Sequence, residues 1–431
     1  MTLSRNGFTW FLKFASKIEP NEVKAVLWSF LFIFTLMASW YILRPIRDAM
    51  SSDWSDAELS TLYTGTFVFS VIAVAIYGAA CSRIRLGYVV PGVYAVFAVS
   101  FVAFFVLTRA GLDGVLLNKG FYVWVSVFSL FQVSVFWSLM ADVFNKEQAT
   151  RTFGFISAGA SIGAIVGPTI ALLTATAVAR ESLVLISALL LLIPMLVIGR
   201  LERLKHSDLS NDVAIASADY EQTVGVNPFA GFTLFVKDPY LLYIGIFILL
   251  YTAISTFVYF EIKNLLVPLD EGTRRAIWAG MDLAVNIMTI ATAMFLTGRI
   301  ATRFGITTVL MIVPVLVFGG LLVLSVLPLL SVVVGLQVVR RAGNYAVTRP
   351  GREMLFTTVD RERRFKAKSV IDIVVYRGGD ALSGWAFTGL TQGLGLGLGA
   401  VAAVGAGLAF VWALVGRHLG VNYQRHQCQG S

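Results

Sequence analysis

The stretch from Val315 to Leu336, "VLVFGGLLVLSVLPLLSVVVGL", contains no charged side chain. It joins the end of one apolar run to the start of the next, and a run of about 20 residues is long enough to cross, as a helix, a hydrocarbon core about 30 Å thick. Similar runs recur from Ala25 to Val415, and the chain of 431 residues is 57% hydrophobic and 14% charged. Soluble domains carry about 25% charged residues. The sequence therefore predicts an all-helical protein that crosses a membrane many times.

The apolar runs predict twelve transmembrane spans, which a polar segment at 201–238 divides into two groups of six. We therefore expect an N-terminal six-helix bundle at 1–200, a cytoplasmic linker at 201–238, a C-terminal six-helix bundle at 239–418 and a tail at 419–431. The spans are predicted at 25–44, 59–80, 88–108, 121–141, 153–177, 182–199, 239–260, 277–298, 306–327, 331–350, 367–390 and 396–416.

The basic residues indicate how the chain is oriented. If the N-terminus lies inside, the inner loops and tails hold 22 Lys and Arg residues and the outer loops hold 8. Cytoplasmic loops of membrane proteins carry such an excess, so both termini are predicted to be cytoplasmic. The net charge of +9 fits basic loops beside anionic lipid and does not require a nucleic-acid partner.

A short motif recurs at the inner end of the second helix of each half. It reads "GAACSRIRLG" at Gly78–Gly87 and "GRIATRFG" at Gly298–Gly305. Two parallel repeats of six helices joined by a linker are the layout of the major facilitator superfamily. The motif resembles the loop signature of that superfamily, but the signature's Asp is Ser82 in one half and Thr302 in the other.

Two adjacent arginines, Arg340 and Arg341, lie about nine to ten residues inside the tenth predicted span, near the bilayer centre. A charged residue there costs at least about 2.5–3.5 kcal/mol on insertion scales. Arg341, Asn344 and Thr348 would share one face of a regular helix. The arginines either pair with buried acids or line a cavity and bind an anion, and neighbours about 100° apart can divide these roles.

The eleventh predicted span is also charged. Asp372, Tyr376 and Asp380 are spaced by four residues and share a face, and Arg377 can pair with Asp380. This charged helix is either a moving part of the protein or an ion-paired packing face.

The first span ends with Arg44, Arg47 and Asp48, where Arg44 and Asp48 have i, i+4 spacing. This cluster is either a capped outer helix end or a cationic wall of a cavity.

Three further polar residues are candidates for lining a cavity. Gln132 lies in the fourth span, and Asp282 and Asn286 are four residues apart in the eighth. For Gln132, the alternative is a hydrogen bond between helices. In the fifth span, Gly159, Gly163 and Gly167 repeat every four residues, which predicts close helix packing within the bundle.

Three stretches resemble the ATP/ADP antiporter (nucleotide transporter) family of that superfamily. They are "YILRPIRDAM" at 41–50, "FWSLMADVFNKEQATRTFGFISAGASIGAIVGP" at 136–168 and "KAKSVIDIVV" at 366–375. The resemblance implies a bacterial-type transporter of the inner membrane that exchanges nucleotides or other phosphorylated anions, and Arg47 matches the basic residue of the first-helix motif. Tyr122 stands where an acidic residue is expected, and Asp380 stands where a Lys is expected.

These observations predict a secondary transporter that moves an organic anion by alternating access, as a monomeric unit. The candidate substrate-binding residues are Arg47, Gln132, Arg340, Arg341, Asn344, Tyr376 and Arg377, and the candidate ion-pair or proton-coupling residues are Arg44, Asp48, Asp282, Asp372 and Asp380. The alternatives are a transporter of another substrate (a lipid-linked or cell-wall anion, or a drug), a membrane sensor that transports nothing, and a membrane enzyme.

A cofactor is not expected. The two cysteines, Cys81 and Cys428, do not form a metal-binding pattern, and the three histidines lie in predicted loops or the tail. The predicted spans therefore offer no His or Cys centre for metal-assisted or nucleophilic catalysis, which makes an enzyme the least favoured interpretation.

Overall fold

The computed structural model describes residues 18–81, 83–84, 86–112, 114–209, 238–356 and 375–429, and its regular structure is helical. The α-helices are α1 (Val23–Met50), α2 (Asp56–Cys81), α3 (Leu86–Arg109), α4 (Val115–Val143), α5 (Lys146–Thr174), α6 (Arg180–Leu190), α7 (Leu192–Ser207), α8 (Pro239–Leu266), α9 (Glu271–Thr292), α10 (Gly298–Val326), α11 (Leu330–Gly343), α12 (Arg349–Leu355), α13 (Tyr376–Thr388) and α14 (Leu398–Gln429). Short π-helical segments occupy Ala293–Thr297, Asn344–Thr348 and Gly389–Gly393.

Ten helical stretches of the described chain are long and apolar enough to cross a membrane. They coincide with the first nine predicted spans and with the twelfth, so the prediction of an all-helical, multi-pass membrane protein is confirmed. The tenth predicted span corresponds to α11, a π-helical segment and α12. The eleventh begins among residues 357–374, which lie outside the described part, and continues as α13.

Two interruptions have clear local causes. The sixth span is divided at Leu191, because Pro194 lacks an N–H group and its ring opposes the carbonyl of Leu190. Within α10, Gly305 adopts a φ of 75° and breaks the helical path. Only glycine adopts this region without steric cost. The second copy of the loop motif therefore turns at its last glycine, whereas the sequence predicted a loop before it.

The first compact unit contains the described parts of 1–47, 72–225 and 275–280. Within it, α1 and α5 approach each other closely along the predicted glycine repeat. A Cβ atom at Gly159 would lie 2.7 Å from the carbonyl oxygen of Phe30, and one at Gly167 would lie 2.7 Å from that of Ala38. The prediction of close packing within a bundle is therefore confirmed at this helix pair.

The second compact unit contains the described parts of 48–71, 226–274 and 281–431. Helices α10 and α14 are in close contact, because a Cβ atom at Gly416 would lie 2.9 Å from the carbonyl oxygen of Leu310. Helix α8 packs against both α13 and α14. The ring of Phe257 lies 5.4 Å from that of Phe387, and the ring of Phe247 lies 5.4 Å from that of Trp412. This packing positions the polar side chains of α8, α11 and α13.

Candidate functional site

Arg341 forms a buried ion pair with Asp282 in the second unit. Its Nη1 donates to Oδ1 of Asp282 at 2.6 Å, and both side chains are at most 3% exposed. Asn286, one turn further along α9, donates from Nδ2 to the backbone carbonyl oxygen of Asp282 at 2.9 Å. The hydrogen bond between Arg341 and Asp282 is charge-assisted and short, so it is strong, and its low-dielectric surroundings strengthen it further. The pair therefore links α9 to α11.

Arg340 is equally buried, at 2% exposure, but its surroundings differ from those of Arg341. Its Nε and Nη2 donate to Oε1 of Gln337 at 3.2 and 2.6 Å. Its Cζ lies 5.6 Å from the ring centroid of Tyr251, in a cation–π contact. Among the described residues, no carboxylate lies within 4.0 Å of the guanidinium, and Nη1 has no hydrogen-bond partner. A buried charge in this state is costly unless an anion accompanies it.

The Tyr251 ring, which contacts this guanidinium, itself lies beside two further aromatic rings. The Tyr251 ring lies 6.1 Å from that of Tyr376 and 5.8 Å from that of Trp412. The hydroxyl of Tyr251 accepts a hydrogen bond from Nδ2 of Asn344 at 3.0 Å. We use the name Arg340 cluster for the residues linked by these contacts, which are Arg340, Gln337, Asn344, Tyr251, Tyr376 and Trp412.

A π-helical segment begins at Asn344, immediately after α11. Each π turn accommodates an extra residue and rotates the subsequent part of the helix, and such turns are frequent at functional sites. The predicted polar stripe from Arg341 through Asn344 to Thr348 assumed a regular α-helix, whereas the helix is π-helical over Asn344–Thr348. The backbone carbonyl oxygen of Ala346 accepts a hydrogen bond at 2.8 Å from the hydroxyl of Thr297. Thr297 is the last residue of another π-helical segment, Ala293–Thr297, which precedes α10.

Arg377 and Asp380 follow Tyr376 on α13. Nη1 of Arg377 lies 3.8 Å from Oδ2 of Asp380, as the i, i+3 spacing predicted. Both side chains are about one-fifth exposed. Asp372, the third acidic candidate on this span, lies outside the described residues.

Arg47 belongs to the first unit and lies among aromatic rings. Its Cζ is 5.5 Å from the ring centroid of Trp40 and 5.4 Å from that of Tyr122, and Nη1 donates to Oγ of Ser126 at 3.2 Å. Tyr122, which replaces the acidic residue expected from the sequence resemblance, thus contributes a ring face where that residue would contribute a charge. Gln132, further along the same helix, is buried, and its backbone carbonyl oxygen accepts from the Tyr94 hydroxyl at 3.1 Å.

The remaining first-span candidates lie on α1. Arg44 is half-buried. Asp48 is fully buried, and its Oδ1 accepts a hydrogen bond from the hydroxyl of Tyr259 at 3.1 Å, which joins the end of α1 to α8.

The second unit contains another group of buried charged residues, which was not among the sequence-based candidates. Nζ of Lys263 lies 2.8 Å from Oδ1 of Asp56 and donates to the carbonyl oxygen of Trp54 at 2.8 Å. Asp56 also accepts from Nδ2 of Asn264 at 3.1 Å. Two residues before Lys263, Glu261 is 1% exposed, and neither of its carboxyl oxygens has a hydrogen-bond partner in the described structure.

Sequence reasoning also missed Gln337, Tyr251 and Trp412 as parts of the Arg340 cluster. The i, i+3 spacing of Gln337 and Arg340 could have indicated their contact. The two aromatic residues have no such signal, because they lie far along the chain from Arg340. Within the described ranges, no group of three or more His, Cys, Asp or Glu residues is arranged to hold a metal ion.

Solved structures provide comparisons for the fold. The nucleoside transporter NupG aligns with a TM-score of 0.63 at 16% identity, covering 93% of this chain and 99% of that chain. A bacterial homologue of the human lysosomal transporter Spinster, inward-facing and unoccupied, aligns with a TM-score of 0.58 at 13% identity, covering 95% and 98%. The POT family transporter PepTSo aligns with a TM-score of 0.65 at 11% identity, covering 93% of this chain and 98% of that chain. At these identities the likeness concerns the fold alone.

No curated protein sequence matches this chain. The sequence profile described as "Major Facilitator Superfamily" matches residues 29–351, which is well over half of the chain. The helical spans, the two compact units and the structural comparisons agree with this match. The chain therefore belongs to the Major Facilitator Superfamily.

Proposed function

We propose that this protein is a secondary transporter that moves an organic anion across the membrane by alternating access. The observation that carries the proposal is Arg340, a buried guanidinium with an aromatic neighbour and without a carboxylate partner in the described structure. Ionisable residues inside a membrane span are costly, and they mark substrate or ion pathways when they are retained. An anionic substrate would supply the charge that the described residues do not place beside Arg340.

The Arg340 cluster has the chemistry to hold such a substrate. A guanidinium binds carboxylate or phosphate through two parallel hydrogen bonds, in bidentate geometry, and it stays positively charged at physiological pH. Tyr376 and Asn344 would contact the organic part of the substrate. In this proposal, Arg341 and Asp282 maintain the position of α11 against α9, and their separation would accompany a change of state.

The other candidates have supporting roles in this proposal. Arg47 and Gln132 are the candidate substrate-binding residues of the first unit. Arg377 and Asp380 would form a switchable pair on α13, while Arg44, Asp48 and Asp372 would act in gating or proton coupling.

The first substrates to test are nucleotides and other phosphorylated compounds. Three stretches of the sequence resemble the ATP/ADP antiporter family, and NupG, a nucleoside transporter, shares the fold. A nucleotide differs from a nucleoside by its phosphate, which requires a cation such as Arg340. The alternative substrates are lipid-linked or cell-wall anions and drugs.

The decisive experiment measures ligand-dependent thermal stability of the detergent-purified protein with ATP, ADP, AMP, sugar phosphates, cell-wall phosphates and dicarboxylates. A ligand at 100 times its Kd stabilises the folded state by about 2.7 kcal/mol. We expect one class of anion to stabilise the protein. Arg340→Gln should weaken that binding at least about 30-fold, because truncating one partner of a buried charge contact costs about 2–5 kcal/mol.

Arg349→Gln is the matched control, because Arg349 is an exposed arginine only nine residues further along the chain. The control should retain wild-type binding. If Arg340→Gln binds every anion as well as the wild type does, Arg340 is not the anchor and the proposal fails.

Transport is distinguished from sensing or catalysis in proteoliposomes. A transporter exchanges labelled anion across the bilayer, a sensor binds the anion and moves nothing, and an enzyme returns a changed product.

We also propose a monomeric unit in the inner membrane with both termini cytoplasmic. Tags at both ends should be inaccessible to a membrane-impermeant reagent in intact cells, and a labelled terminus would contradict this orientation.

A further inference from the structure

The charges around the Arg340 cluster limit the charge of the ligand that it can hold. Arg341 is balanced by Asp282 at 2.6 Å, and Arg377 is balanced by Asp380 at 3.8 Å. Within the part of the chain that the structure describes, Arg340 contacts the neutral amide oxygen of Gln337 and the ring face of Tyr251, and no carboxylate lies within 4.0 Å of it. Among the described residues of α8, α9, α11 and α13 in this region, the excess is therefore a single positive charge.

The hydrogen bonds of Arg340 also limit how a ligand approaches. A guanidinium can present two donor edges to an anion, one formed by Nε with an Nη atom and the other formed by the two Nη atoms. The amide oxygen of Gln337 occupies the Nε–Nη2 edge at 3.2 and 2.6 Å. Nη1 has no partner in the described structure, so the edge formed by the two Nη atoms is the one that can receive an anionic group. One edge accommodates one carboxylate or phosphate group.

We propose that the transported substrate is a monoanion at this site: a carboxylate, a phosphodiester or a singly ionised phosphate. The inference rests on the proposed function and narrows it. A single negative charge neutralises Arg340, whereas a second charge on the same group would be buried without a counter-charge from the described residues, and burying an unpaired charge is strongly unfavourable. Fully ionised ADP and ATP are therefore poor ligands of this cluster, in agreement with Asp380 where the nucleotide exchangers have a Lys.

The test compares ligands that differ by one negative charge and one methyl group, with purified full-length protein in detergent. The probes are AMP against its phosphate methyl ester, and a dicarboxylate against its monomethyl ester. At about pH 7.5 the phosphomonoester carries close to two charges, because its second pKa is about 6, whereas the methyl ester carries one. We expect the monoanion of each bound pair to bind at least about tenfold more tightly. Equal or tighter binding of the dianion would overturn the inference.

The same probes provide an internal check through pH. Lowering the pH to about 5.5 protonates the phosphomonoester, so its binding should approach that of the methyl ester, whose charge is unchanged. A constant difference between the two probes across this range would show that the esters are distinguished by size and would contradict the inference. If neither probe of any pair binds, and further anions do not bind either, the proposed function fails and not merely its charge limit.

Substitutions that alter the local charge should shift the preference. Asp282→Asn leaves Arg341 without its counter-charge, so the ratio of dianion to monoanion affinity should rise at least about tenfold. The double variant Arg341→Gln/Asp282→Asn restores the original balance and should restore the wild-type ratio. Asp380→Asn repeats the test at the half-buried pair if the buried Asp282 variant does not fold. An unchanged ratio in a folded Asp282→Asn or Asp380→Asn variant would contradict the proposal.

Discussion

Arg340 and Arg341 are adjacent, identical and equally buried, yet they lie in different electrostatic surroundings. Consecutive side chains of a helix point about 100° apart, so one faces Asp282 of α9 and the other faces Tyr251 of α8. The first arrangement is a satisfied ion pair that holds two helices together. The second is a charge for which the described protein supplies no counter-ion. This difference supports the proposal that Arg341 has a structural role and that Arg340 binds the substrate.

Two buried acidic residues make a contrasting pair for a stability test: Asp56, which begins α2 and contacts Lys263, and Glu261, which lies two residues before Lys263 on α8. Asp56→Asn removes the carboxylate that accompanies buried Lys263, and breaking a buried ion pair from one side costs about 3–5 kcal/mol. Glu261→Gln removes no hydrogen bond or ion pair of the described structure and preserves the side chain's shape, so it should cost less than about 1 kcal/mol. Thermal unfolding of the two detergent-purified variants measures the difference. Equal destabilisation would show that Glu261 has an ionic role.

At the scale of single elements, small residues and special turns determine how closely the helices approach. The glycines of α5 bring it against the backbone of α1, and the π-helical segment after α11 rotates the residues that come after Asn344. The first feature is readable from a four-residue spacing. The second is not, because a π turn adds one residue to a helix whose composition is unchanged, and its formation depends on tertiary contacts such as the one from Thr297 to Ala346.

Two glycines of α5 provide a controlled test of this packing. A Cβ atom at Gly163 would overlap the backbone of α1 at Phe34, whereas one at Gly154 would meet nothing within 4 Å. We expect Gly163→Ala to destabilise the protein by about 1–3 kcal/mol through overpacking. Gly154→Ala should be neutral or stabilise it by up to about 1 kcal/mol, since alanine favours helix. If both variants unfold at the same temperature in a thermal scan, the close approach of α1 and α5 does not limit stability.

At the scale of the whole molecule, polar contacts tie together segments that are distant in the chain. In the first unit, Nζ of Lys24 at the start of α1 lies 3.1 Å from Oδ2 of Asp208, which comes directly after α7. The hydrogen bond from Lys24, with a smaller contribution from Ser207, lowers the pKa of Asp208 from its ordinary value of 3.8. This contact lies at an exposed surface, so salt screens it.

The pH dependence of this contact has a definite sign. Because the folded-state pKa of Asp208 lies below the unfolded value, the contact contributes stability above pH 3.8 and loses it as the pH falls further. The unfolding temperatures of the wild type and Asp208→Asn should therefore differ most at about pH 6 and converge towards about pH 3. Lys24→Gln should show the same convergence, and added salt should reduce the difference at the higher pH. A gap that widens on acidification would contradict the assignment.

The sequence by itself determined the class of the protein. A helix must be about 20 residues long to cross a bilayer, so apolar runs report the spans without any tertiary information, and the basic loops predict an orientation. The glycine repeat of α5 and the i, i+3 pair of Arg377 with Asp380 were equally readable, because they depend on spacing along a single helix. The match to the Major Facilitator Superfamily agrees with that local interpretation.

Only the tertiary structure decided what the arginines of the tenth span contact. Asp282 precedes Arg341 by 59 residues, and Tyr251 precedes Asn344 by 93, so no local pattern predicts that these residues meet. The free energy of a buried charge depends on which groups lie within a few ångströms of it, and that distance is set by helix packing. Two neighbouring residues of the same type can thus be a closed ion pair and a candidate anion-binding group.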